Sequence, residues 1–155
     1  IQRELASGQP RDLVREVPPG LPAARAQVIA LLDDVAGKLG GGRVVLGGFS
    51  QGAMLACDVA LRTARPLAGL VLLSGTLLAE DEWVPLMPAR RGLPVLESHG
   101  QLDPLLPFFV AEMLRDHLVA AGLAVEWVPF RGGHEIPAPV LDRLGAFLGR
   151  ALADG

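Results

Sequence analysis

Cysteine is nearly absent. Cys57 stands alone among 155 residues, so no internal disulfide can form and the redox compartment stays open. One cysteine inside a helical pattern reads as a small buried side chain. Lysine is as scarce: arginine supplies every positive charge except that of Lys38. With abundant alanine, glycine and proline, that bias suits a GC-rich bacterial genome. The net charge is -3 and no basic cluster interrupts the chain, so nucleic acid is not an expected partner. No apolar run approaches the roughly 18 residues of a membrane span. No leader pattern is read, and the cytoplasm is the default compartment. Histidines and acids do not fall at ligand spacing, so neither a metal nor a cofactor is expected.

Half of the residues are hydrophobic and a fifth are charged, the balance of a globular chain. The length fits one domain, 1–155, with residues 1–21 as a connecting segment and at most a short helix near Arg11 to Val17. Pro22 suits the first turn of a helix. Val28, Leu31, Leu32, Val35 and Leu39 then form an apolar stripe, which Gly40, Gly41 and Gly42 end. The run Val44-Val45-Leu46 reads as a strand, followed by a helix to about Thr63. Ala68 to Ser74 shows no alternation, as a parallel strand covered on both faces would. An irregular excursion spans Gly75 to Gly92. Pro94 to His99 is a third strand, Phe108 to Ala121 a helix, and Val125 to Phe130 a fourth strand, whose Pro129 argues for an edge. Val140 to Ala151 makes the last helix. Helices and strands alternate, so the expected fold is α/β with a mostly parallel sheet and helices on both faces.

Within this alternation, Gly48-Phe49-Ser50-Gln51-Gly52 sits between a strand and a helix. This G-x-S-x-G pattern is a nucleophile elbow, which lifts the serine hydroxyl above the sheet edge. Its glycines are expected to relieve crowding in the turn. Functional groups of such sheets lie in loops beyond the carboxyl ends of strands, and two more residues meet that condition: Asp103 after the third strand and His134 after the fourth. The chain order serine, acid, histidine is that of α/β-hydrolases. The chemistry needs all three types. An imidazole takes the proton of the hydroxyl, and a carboxylate holds that imidazole in the right tautomer. Taken singly, Ser50 could be a helix N-cap, Asp103-Pro104 a turn pair and His134 an exposed loop residue. His99 reads as a local hydrogen-bonding residue and His117 as a surface one. Glu97, inside an apolar strand, faces either the site or an edge.

The stretches Gly47 to Met54, Ser98 to Pro107 and Gly132 to Ile136 resemble the phospholipase/carboxylesterase family of α/β-hydrolases, which includes carboxylesterases, lysophospholipases and acyl-protein thioesterases. The likeness covers roughly Pro22 to Phe147. It implies Ser50 as nucleophile, Asp103 as orienting acid, His134 as general base and the Gln51 backbone N–H as an oxyanion donor. It implies a small-molecule ester substrate whose acyl chain lies in a shallow apolar groove, lined here by Leu77, Leu78, Trp83, Leu105 and Leu106. It also allows a homodimer.

The resemblance brings a departure. Family members carry amino-terminal strands and a glycine-rich loop that donates the second oxyanion N–H, and nothing of that type precedes Val44. The expectation is a carboxy-terminal two-thirds of such a domain. A non-catalytic fragment is therefore the rival to a carboxylesterase, with lysophospholipase and acyl-protein thioesterase as alternatives of the same chemistry. A dienelactone-type hydrolase is disfavoured, because cysteine would stand in place of Ser50.

Overall fold

A computed structural model describes residues 14–153. Its elements run α1 (Leu21–Leu39), β1 (Val45–Phe49), α2 (Gln51–Arg62), β2 (Gly69–Leu73), α3 (Glu80–Leu86), a 3-10 turn (Met87–Arg90), β3 (Pro94–Gly100), α4 (Phe108–Ala120), β4 (Ala124–Phe130) and α5 (Ala138–Ala151). The strands form one parallel sheet in the order β1-β2-β3-β4. The expected α/β alternation is present, and β4, with Pro129, lies at an edge.

Parallel strands need helical crossovers, and these cover the sheet on both faces. On one face Ala53, Met54, Cys57 and Ala60 of α2 pack with Leu70, Leu72 and Val95 of the strands and with Val110, Leu114 and Leu118 of α4. On the other, Val140, Phe147 and Ala151 of α5 cover Val71, Leu73 and Leu96. This explains why β2 is apolar without alternation: all five of its residues are buried. Gly69 accommodates the second layer, since a Cβ there would stand 3.0 Å from the Phe147 ring.

Three expectations change. The segment 75–92 is not irregular throughout, because α3 and the 3-10 turn occupy residues 80–90 of it. A helix of seven residues containing Pro85 is too short to show periodicity. Its sequence signal was the acidic run Glu80, Asp81 and Glu82, which suits the positive end of a helix dipole. On α1, Leu32 is buried and Val28 and Val35 are half-buried, but Leu31 and Leu39 are exposed. The buried and half-buried apolar positions run Leu21, Val28, Leu32, Val35, and Leu31 sits about 70° round the helix from the centre of that stripe. Of the expected helix near Arg11 to Val17, residues 11–13 lie outside the described residues. Val14 and Arg15 are helical, and Val14 is buried in the core and not part of a bare linker.

The register aligns the strand ends. Phe49 pairs with Leu73, Leu73 with Ser98, and Gly100 with Phe130. The loops after β1, β3 and β4 therefore leave the sheet along one edge.

Candidate active site

At the end of β1 the chain turns sharply into α2. Ser50 sits at the corner with φ 57° and ψ -122°, a region that non-glycine residues enter only under constraint. The constraint is visible. The Ser50 N–H donates to the Leu73 carbonyl at 2.8 Å, and its own carbonyl accepts from the N–H groups of Ala53 and Met54. The hydroxyl makes no N-cap bond, so the capping role is not the one it plays. Gly48 is required: a Cβ on it would overlap the Gly52 carbonyl and stand 2.7 Å from the Ala53 nitrogen. The expectation that both glycines relieve crowding holds for only one of them, since a Cβ on Gly52 would meet nothing within 4 Å.

The acid arrives from β3. After Gly100 the chain makes a turn in which the Asp103 Oδ1 accepts the N–H groups of Leu105, at 2.8 Å, and Leu106, at 2.9 Å. The histidine arrives from β4 through Gly132 and Gly133. The two loops touch through glycines, because a Cβ on Gly100 would collide with the carbonyl oxygens of Gly132 and Gly133. Leu102 N–H donates to the Gly132 carbonyl at 2.9 Å and ties them together.

The result is a line of three side chains. His134 Nδ1 lies 2.7 Å from Asp103 Oδ2, and His134 Nε2 lies 2.8 Å from Ser50 Oγ. A carboxylate can only accept, so Nδ1 carries the proton and Nε2 is left to accept from the serine hydroxyl. Burial pushes the Asp103 carboxyl up, but the N–H of Leu106, the His134 ring and the N–H of Leu105 outweigh it and leave it below the ordinary carboxylate range. Phe49 covers the His134 ring, with centroids 4.9 Å apart.

The remaining site expectations divide. Gln51 is the exposed first residue of α2, where N–H groups lack intrahelical acceptors, so its N–H is placed beside Ser50 at the positive end of the helix. Leu105 is 41% exposed next to Asp103, and Leu78 is half-buried. Leu77, Trp83 and Leu106 do not form a groove wall, because all three are buried in the larger core cluster. Trp83 is anchored there: its indole N–H donates to Asp58 at 2.9 Å. Asp58, fully buried, also receives Arg25 at 2.5 Å and Arg62 at 2.9 Å. The exposed apolar residues on the site loops are instead Phe49, Leu102 and Leu105.

His99 is buried, with Nε2 2.9 Å from the Leu106 carbonyl. His117 meets Glu80 at 3.0 Å and is half-buried. Glu97 is at neither an edge nor the triad. It is buried in the central strand β3, and burial pushes its carboxyl well up. Cys57 is fully buried, and burial, with Glu97 and Asp58 nearby, raises its thiol as well. Among the described residues, no three His, Cys, Asp or Glu side chains gather as metal ligands would. No described helix is long and apolar enough to cross a membrane.

A family model described as phospholipase/carboxylesterase matches residues 16–152. An acyl-protein thioesterase 1 from Gibberella zeae is 33% identical over 114 residues, covering 71% of this chain and 48% of the relative. One from Neurospora crassa is 33% identical over 110 residues, covering 68% and 45%. Among solved structures, the esterase PE8 superposes with a TM-score of 0.77 at 32% identity, covering 86% of this chain and 62% of the esterase. The chain spans about half the length of the curated relatives it matches.

Proposed function

Because this chain belongs to the phospholipase/carboxylesterase family of α/β-hydrolases, we propose that it hydrolyses carboxylic esters through an acyl-enzyme intermediate. The observation that carries the reading is the unbroken line from Asp103 through His134 to Ser50, at 2.7 and 2.8 Å. In the proposed cycle Ser50 Oγ attacks the ester carbonyl as His134 Nε2 takes its proton. Asp103 holds the ring and stabilises the imidazolium without itself taking the proton. The Gln51 N–H stabilises the negative oxygen of the tetrahedral intermediate. His134 then protonates the leaving alcohol, and a water molecule, activated by the same imidazole, releases the acid. The exposed side chains of Phe49, Leu102 and Leu105 suit an apolar acyl portion.

Thioesters form the second reading, favoured by the likeness to acyl-protein thioesterases. The same nucleophile serves both, and a panel of oxygen esters and thioesters of matched acyl length separates them. The primary test is Ser50→Ala in the intact protein. Hydrolysis of p-nitrophenyl esters and labelling by a fluorophosphonate probe should both vanish. Retained turnover would reject Ser50 as nucleophile, and a native protein that neither labels nor turns over would support the non-catalytic rival.

A further inference from the structure

We propose that His99 is a positioning residue for Asp103: its Nε2–H, donated to the Leu106 carbonyl, locks the turn that aims the Asp103 carboxylate at His134. The proposal rests on the hydrolase reading of Ser50, Asp103 and His134, and extends it to a residue outside the triad.

The geometry is specific. His99 is the penultimate residue of β3 and has no exposed surface. Its Nε2 lies 2.9 Å from the Leu106 carbonyl oxygen and 3.3 Å from Asp103 Oδ2. Both groups are acceptors, so the ring proton belongs on Nε2. Nδ1 is buried with no group at hydrogen-bond geometry; the Gly75 backbone also bears on the ring, but the Leu106 carbonyl at 2.9 Å is the contact that claims the proton. Burial pushes this imidazole down, which keeps the ring neutral beside the other two titratable groups that bear on it, Asp103 and His134.

Leu106 is the pivot. Its N–H holds Asp103 Oδ1 while its carbonyl is held by His99. The same peptide segment is thus gripped from strand β3 on one side and grips the acid on the other. Asp103 Oδ2 is left to face His134 at 2.7 Å, with the His99 N–H as its close neighbour. Without the His99 bond, the Leu106 carbonyl would be a buried acceptor with no partner, a cost large enough to move the turn. A shift of about 1 Å in the acid would cost roughly 10²-fold in turnover.

Two amides test this. Gln places its N–H₂ where Nε2 stands, whereas Asn is too short to reach Leu106. In the intact protein His99→Gln should keep most of kcat, and His99→Asn should lose about 10²-fold in kcat with KM little changed. Equal kcat in the two variants, or a better Asn variant, overturns the proposal. A second measurement needs no mutation: ring ¹⁵N spectra of the native protein should show His99 as the neutral Nε2–H tautomer, and an Nδ1–H tautomer or an imidazolium overturns it. Ser50→Ala, assayed alongside, keeps the two ideas apart. Activity in that variant rejects the hydrolase reading, whereas an inactive Ser50→Ala with indistinguishable His99 variants rejects only the positioning role.

Discussion

Gly48 and Gly52 face each other across the elbow, but only Gly48 is sterically obligatory. A Cβ on Gly48 would overlap the Gly52 carbonyl, while one on Gly52 would point into open space. Gly48→Ala should therefore destabilise the protein by about 1–3 kcal/mol, the usual cost of forcing a methyl group into a packed site, and should abolish probe labelling at Ser50. Gly52→Ala should stay within about 0.5 kcal/mol of wild type. Urea unfolding of the two variants checks the contrast, and equal losses would show that the elbow tolerates both or neither.

Trp83 belongs to the core and not to an acyl groove. Trp83→Phe removes an N–H from the buried Asp58, leaving Arg25 and Arg62 as its partners. The expected cost is about 1.5–3 kcal/mol, as for a hydrogen bond to a charged group. Acyl-length preference should not change. A shift in preferred chain length with stability intact would return Trp83 to the substrate site.

Glu97 makes stability fall with rising pH. An unfolded glutamate ionises near pH 4.3, but burial raises the folded value well above that. Between the two, the native state holds a proton that the unfolded state has released. The contribution is therefore complete below about 4.3 and is lost as pH climbs toward the folded value. Glu97→Gln removes the titration while keeping the shape. Its stability relative to wild type should rise with pH, by at most about 1.4 kcal/mol per unit. Unfolding midpoints at pH 5, 6.5 and 8 provide the check. The lowered imidazole of His99 acts in the opposite sense, with stability gained as pH rises toward about 6.5, but it is present in both proteins and cancels in the difference. A difference that stays flat with pH would mean that Glu97 is ionised in the fold.

The parts of the molecule that were legible in the sequence are those where chemistry and backbone geometry constrain the residue together. Ser50 needs a tight turn, Asp103 and His134 need loops beyond strand ends, and the glycines around them are conspicuous, so the candidate site could be read in one dimension. Groove and core cannot be separated in that way. Leu77 and Leu106 lie in loops and Trp83 in the seven-residue α3, and nothing in their spacing tells an exposed wall from a buried layer. Asp58, which receives the Trp83 indole N–H, lies 25 residues away. Phe49 and His99 were underread for the opposite reason. One occupies a variable position of the elbow motif, and the other works through the backbone carbonyl of Leu106, which leaves no mark in a sequence.

The parallel pairing of β3 with β4, Gly100 opposite Phe130, carries a final consequence. His134 and Ser50 are 84 residues apart in the chain, and the acid and base hang from adjacent strands. A slip of one residue between those strands would displace the acid relative to the base by about 3.3 Å, more than the whole length of their hydrogen bond. On the proposed hydrolase reading, turnover would be a ruler laid across the sheet: a refolding molecule could regain helix, strand and compactness while still inactive, and the return of ester hydrolysis would mark the moment at which the strands lock into their final alignment.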